Sequence, residues 1–190
     1  MKVFLISTPI GEKKLGDLFQ KLYDELGHMG YKHVSNYITT HHSKDFVIQM
    51  EKGKEEQKKF YNEMIDSINK ADICIFEAST PSFGVGYLIQ HSISISKPTI
   101  VLFHKEFKSY LIPGIDDEKL IVKTYDESNY KRVLKSAIAQ AREKRDKRFN
   151  FFLSPKLLSY LEDVSNEQGV TKSKILRDLI VEHMRKRSAQ

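Results

Sequence analysis

Four short stretches of this chain are apolar along nearly their whole length rather than at alternate positions: KVFLIS (2–7), DICIFE (72–77), PTIVLF (98–103) and LIVKTY (120–125), with HVSNYI (33–38) as a weaker fifth. A strand with one wet face alternates apolar and polar residues, whereas a strand buried on both faces does not. Between these runs the apolar spacing changes to that of a helix. Leu15, Leu18, Phe19, Leu22 and Leu26 recur over 13–26 with Gly27 as the stop, and further helices are predicted at 55–70, about 85–96 and 127–143, with a long loop at 41–54. Strands buried on both sides and separated by helices close only as a parallel sheet with helices on each face.

The expected fold is therefore α/β: a five-stranded parallel, Rossmann-like sheet over 1–143, followed by a separate C-terminal unit over 144–190. Charge divides the chain in nearly the same place. Residues 1–140 carry 19 Lys/Arg against 18 Asp/Glu, whereas the last fifty carry 12 against 7 and hold +5 of the net +6. A near-neutral body with a basic end points to a polyanionic partner at the C-terminus. The apolar runs are too short to cross a bilayer, and the first residues lead straight into a strand, so no membrane partner and a cytoplasmic location are expected. Cys74, alone in the chain, reads as a small buried residue.

STPSFGVGYLIQH (79–91) follows directly on the strand ICIFEA, as a turn entering a helix. Ligands of parallel sheets sit beyond the carboxyl ends of the strands, where helix N-termini present unpaired N–H groups. Gly84 and Gly86 permit close backbone approach and Ser82 offers a hydroxyl, an arrangement suited to a phosphate; equally, Ser82 caps the helix and the glycines ease strand–helix packing. Glu77, at the strand end, is a candidate general acid, or else a capping group or ion-pair partner, and His91 packs or is solvated. His41 and His42 have no third ligand at a useful spacing, so no metal is expected, and no cofactor is implied.

The string TPSFGVGYLIQHSISISKPTIVLF resembles the signature of the nucleoside 2-deoxyribosyltransferase family, above all its 2′-deoxynucleoside 5′-monophosphate N-glycosidases, which read PS-x-GVGYE before a helix and a K-x-I-x-x-LF strand. The resemblance implies a nucleotide or deoxynucleoside phosphate as ligand, with Ser7 and Thr8 of the first loop ISTPIGE joining Ser82, Gly84 and Gly86. It also implies catalysts that this chain lacks. The family's nucleophilic Glu is Leu88, its helix Asp is Met64, and its first-loop Arg falls at Ile10. Breaking a glycosidic bond calls for a carboxylate at the sugar, which neither Leu nor Met supplies.

In the C-terminal unit, RFNFFL (148–153) alternates, with Phe149, Phe151 and Leu153 on one face and Arg148, Asn150 and Phe152 on the other. Ser154-Pro155 starts a helix carrying Leu157, Leu158, Leu161 and Val164, closed by Gly169, and a second helix turns Ile175, Leu176, Leu179 and Ile180 inward. A lone amphipathic strand leaves its backbone unpaired, so a second copy is expected, giving a homodimer or higher oligomer. The pattern resembles the ribbon-helix-helix DNA-binding family. That resemblance implies double-stranded DNA as partner, with Arg148, Asn150 and Phe152 on base edges and Thr171, Lys172 and Ser173 on a phosphate; a dimerisation module that never meets DNA has the same pattern.

Together these readings give a transcriptional regulator, bound to DNA through its end domain, whose body is a catalytically degenerate nucleotide-binding or oligomerisation domain and not an enzyme. The alternative is a nucleotide N-glycosidase or deoxyribosyltransferase, tethered to DNA, that uses Glu77 or another displaced carboxylate. A third reading is a structural, chromatin-like protein without sequence preference.

Overall fold

The computed structural model describes residues 1–8, 12–35, 47–48, 50–107, 109–145 and 151–188. They form two compact units, Met1–Asp146 and Lys147–Gln190. The first unit runs β1 (Lys2–Ser7), α1 (Glu12–His28), β2 (Lys32–His33), α2 (Lys54–Lys70), β3 (Ile73–Glu77), α3 (Phe83–Ser94), β4 (Thr99–His104), β5 (Leu120–Tyr125) and α4 (Tyr130–Glu143), with a 3-10 turn at Ile112–Gly114. The five strands are parallel in the order β2-β1-β3-β4-β5. Strand order reverses between β1 and β3, and this switch point leaves a crevice beyond their carboxyl ends. Ser7 and Glu77, the last residues of those two strands, are paired there.

Each sheet face has its own core. Val3, Leu5, Ile73, Ile75, Ile100 and Leu102 pack with the apolar stripes of α1 and α4. The intervening residues Phe4, Ile6, Cys74, Phe76, Val101 and Phe103 pack with α2 and α3. Every residue of β3 and β4 is buried, which is why their sequences show no alternation. Burial also pushes the Cys74 thiol up to about 11, so it remains protonated. Among the described residues no three His, Cys, Asp or Glu side chains cluster as metal ligands, and no helix is long and apolar enough to cross a membrane.

Several boundaries differ from those expected. Gly27 remains helical; α1 runs on to His28, and the chain turns out of it at Gly30, whose φ of 81° suits glycine. The Gly30 and Tyr31 N–H groups bond back to Gly27 and Leu26, a closure that needs the left-handed residue at Gly30. Strand β2 covers only Lys32–His33; residues 36–38 of the expected strand, together with Ile10, His41 and His42, lie outside the described residues. A helical turn occupies part of 47–51, within the expected loop.

The second unit contains α5 (Pro155–Gln168) and α6 (Lys172–Ser188). Ser154 caps α5 by accepting from the Leu157 N–H at 3.4 Å, and Gly169 closes it with φ 64°. Residues 151–154 are not a strand, and 148–150 lie outside the described residues, so the ribbon is not shown. One chain offers such a segment no second strand to pair with. Leu179 and Ile180, expected inward, are 55% and 62% exposed, because two short helices share too little surface to cover them.

Candidate functional site

The β3–α3 connection builds the site. Ser82 leaves the helix in an extended conformation (φ −153°, ψ 122°), and its hydroxyl accepts from the Val85 N–H at 3.3 Å. The N–H groups of Phe83 and Gly84 come earlier in the first turn and have no intrahelical acceptor. Neither Gly84 nor Gly86 has a positive φ. A Cβ at Gly86 would meet nothing within 4 Å, and one at Gly84 would meet only the Ser82 hydroxyl at 3.8 Å. Glycine inside a helix costs about 1 kcal/mol relative to alanine. Among the described residues, neither a left-handed conformation nor a close neighbour requires glycine at either position.

Beside this turn lies a cavity of about 190 Å³. Its lining includes the hydroxyl-bearing residues Ser79, Thr80, Ser82 and Ser109 and the apolar Val85, Ile89, Phe103 and Ile112; among the described residues it carries no charge. Of the five predicted ligand residues, Ser82 and Gly86 line this cavity and Gly84 stands on the same helical turn. Ser7 and Thr8 are buried at the end of β1, next to Glu77, and are not part of its wall.

Glu77 is fully buried. Its carboxyl is in contact with the Ser79 hydroxyl and accepts from the Ser79 N–H at 3.3 Å and from the Tyr125 hydroxyl at 3.1 Å. Burial holds its pKa above the ordinary carboxylate value, outweighing the opposing hydrogen bonds. The Ser79 hydroxyl also accepts from the His104 N–H at 2.7 Å, and the His104 ring reaches Glu127 at 3.2 Å. Among the described residues Glu77 is the centre of a buried hydroxyl network. Ser79 and Tyr125 were not identified from sequence. Ser79, two residues beyond a strand-end carboxylate, carried a faint local signal; Tyr125, 48 residues away, carried none.

Leu88 and Met64, at the positions where the resemblance calls for carboxylates, are 6% and 1% exposed in one apolar cluster with Phe4, Ile6 and Phe76. His91 is half-buried, its ring roughly parallel to that of Tyr87. In the second unit, Thr171 accepts from the Lys174 N–H at 3.2 Å as a helix cap, and Lys172 pairs with Glu162 at 3.1 Å. Ser173 is exposed, and so is Phe152, outside any strand. Arg148 and Asn150 lie outside the described residues.

No family model matches the chain. It is 28% identical over 146 residues, 77% of its length, to a Thermofilum pendens protein named 2′-deoxynucleoside 5′-phosphate N-hydrolase 1, of which 93% is covered. It is 22% identical over 138 residues to the 5-hydroxymethyl-dUMP N-hydrolase of Danio rerio, covering 70% of this chain and 93% of that protein. The solved structure of a Clostridium botulinum CMP N-glycosidase superposes with a TM-score of 0.51 at 19% identity, over 73% of this chain and 99% of the other, a likeness of fold. The N-terminal unit is thus deoxyribosyltransferase-like. These findings overturn the expectation of a DNA-binding regulator with a non-enzymatic body. The relatives bear the names of hydrolases, and none bears the name of a DNA-binding protein; the glycosidase alternative is the better supported.

Proposed function

We propose that the N-terminal unit is an enzyme that hydrolyses the N-glycosidic bond of a nucleoside 5′-phosphate, releasing the base. The observation that carries this reading is the Ser82-capped start of α3, opening beside a cavity at the carboxyl end of β3 whose described lining offers hydroxyls and apolar surface. The first-turn N–H groups and the positive end of the helix dipole attract a phosphate. Gly84 and Gly86 leave the backbone bare for its approach, which gives their presence in a helix a reason. The cavity is smaller than the roughly 300–1,000 Å³ that encloses a drug-sized ligand. It therefore receives part of a nucleotide, with the remainder in the open crevice. The names of the two relatives support the same bond as the target.

With Leu88 where the resemblance has a nucleophile, no glycosyl-enzyme forms at that position; water attacks the anomeric carbon directly. The test is incubation of the purified chain with a panel of ribo- and 2′-deoxynucleoside 5′-monophosphates, followed by chromatography for free base. Release is expected from monophosphates and much less from the matching nucleosides. No release from any member overturns the reading.

The C-terminal unit supports a second proposal, that it pairs with another copy of itself. Leu157, Leu158, Leu179, Ile180 and Met184 are 46–62% exposed, and Leu161 is the one buried apolar residue of its helices. A helical hairpin shorter than about 40 residues does not hold itself together on so small a core. A twofold partner presents the same apolar set in return.

A further inference from the structure

We propose that Ser79 and Glu77 form the proton relay of this site, Ser79 handing a proton to the departing base and Glu77 replenishing it. The inference rests on the N-glycosidic reading above and deepens it. Ser79 is the member of the buried network that also lines the cavity, so it alone of the two can touch a bound molecule.

The hydrogen-bond inventory sets the direction of transfer. The Ser79 oxygen has one hydrogen to donate and two lone pairs. One lone pair is taken by the His104 N–H. When Glu77 is ionised, the Ser79 hydrogen is spent on the carboxylate and none is left for the cavity. When Glu77 is protonated, its own O–H donates to the second lone pair of Ser79, and the Ser79 hydrogen is free to turn towards a ligand. Burial favours that neutral form of Glu77. Tyr125 donates to the same Glu77 oxygen, Oε1, that meets the Ser79 hydroxyl, while the Ser79 N–H holds Oε2.

The step balances. The bond between the anomeric carbon and the base nitrogen breaks, and its electron pair goes to the nitrogen, which takes the Ser79 proton. Ser79 takes the Glu77 proton. Water adds its oxygen to the anomeric carbon, and its surplus proton returns through Ser79 to Glu77. No oxidant, reductant or metal is consumed. Ser79 is the catalytic residue in this scheme and Glu77 acts through it.

The experiment compares the wild type with Ser79→Ala and Glu77→Gln on two probes: the nucleotide cleaved fastest, and 7-methylguanosine 5′-monophosphate, whose base leaves without accepting a proton. On the first probe each variant is expected to lose roughly 10²- to 10⁴-fold in kcat, the range for a general acid. Wild-type kcat is expected to fall as pH rises through the Glu77 pKa, and Ser79→Ala to lack that limb. Cleavage of the methylated nucleotide is expected to survive both substitutions. Variants that cleave the ordinary nucleotide at the wild-type rate overturn the relay alone, and so does an equal loss on both probes or an unchanged pH limb in Ser79→Ala. Should Glu77→Gln not fold, Ser79→Ala decides by the same measurements. A wild type that cleaves neither probe nor any other nucleotide overturns both the relay and the reading beneath it.

Discussion

The Tyr125 hydroxyl, at the end of β5, reaches past the intervening strand β4 to donate to the Glu77 carboxyl on β3 at 3.1 Å. Strands two apart in a sheet are separated by about 9.6 Å, a gap that Glu77 and a tyrosine span between them when both side chains lie on the same face. The two residues brace the carboxyl ends of three strands around a single buried acid. Tyr125→Phe removes the hydroxyl and keeps the ring. The lost donor leaves Glu77 less satisfied, which costs about 1–3 kcal/mol at neutral pH. It also raises the Glu77 pKa further, since this hydrogen bond favours the ionised form. Urea unfolding is expected to give a lower midpoint for the variant, with the gap narrowing as pH falls and Glu77 becomes protonated in both proteins.

The same buried acid makes stability depend on pH in a defined direction. Its folded pKa lies above its unfolded one, so the folded state holds a proton that the unfolded state has released. Its contribution to stability is complete below the unfolded value, about 4.3, and is lost as pH rises through the folded value. Glu77→Gln does not titrate. Across that window its stability relative to wild type is expected to rise by up to about 1.4 kcal/mol per pH unit and then level off. Paired unfolding curves from pH 4 to 8 measure this; a difference independent of pH would mean that Glu77 titrates normally.

Much of the first unit was legible because parallel strands are unambiguous when both faces are buried: ICIFE and TIVLFH carry apolar side chains to both cores. The end of α1 was not legible. Two glycines stand three residues apart, and only the backbone reveals that Gly30, not Gly27, takes the left-handed conformation. The turn before α3 was visible as a motif, and its expected occupant followed from helix-terminus physics. The network behind it was hidden, since it joins Glu77, Ser79, His104 and Tyr125 from three strands and a loop. The absence of carboxylates at Leu88 and Met64 suggested that chemistry had been lost. Glu77 was open as an alternative, but its burial and its hydroxyl partners, which set it apart from an ordinary strand-end carboxylate, have no signature in the sequence.

If a phosphate sits at the start of α3, the capping and binding roles of Ser82 can be separated. Ser82→Asp retains a good N-cap and places a negative charge at the positive end of the helix, so stability is expected to stay within about 0.5 kcal/mol or to rise slightly. The same charge repels a phosphate dianion. KM for the nucleotide is expected to increase at least tenfold, with the melting temperature unchanged. A variant with unaltered KM would remove phosphate from this turn.

Gly86→Ala tests the approach to the backbone. The added Cβ meets nothing within 4 Å in the protein itself, and alanine in place of a helical glycine contributes about 1 kcal/mol. The variant is therefore expected to melt at a higher temperature. If the bare backbone serves a ligand, its methyl group occupies the ligand's place, and kcat/KM falls while stability rises. A gain in stability with full activity would show that nothing approaches the helix at Gly86.

The exposed apolar set of the C-terminal helices makes a separate prediction about assembly. Each of Leu157, Leu158, Leu179, Ile180 and Met184 has about half its surface in water, and burying the remainder contributes roughly 1 kcal/mol per side chain. Pairing two copies buries both sets at once and gives α5 and α6 the core they lack singly. Light scattering on the purified full chain is expected to report a dimer or a multiple of it, and Leu179→Glu with Ile180→Glu is expected to lower the mass to that of one chain. Both positions are more than half exposed within the chain and lie in the C-terminal unit, so the charges are expected to leave the N-terminal unit folded. A wild-type chain that runs as a monomer at concentrations of tens of micromolar, with the two substitutions without effect, would mean that this face meets no second copy.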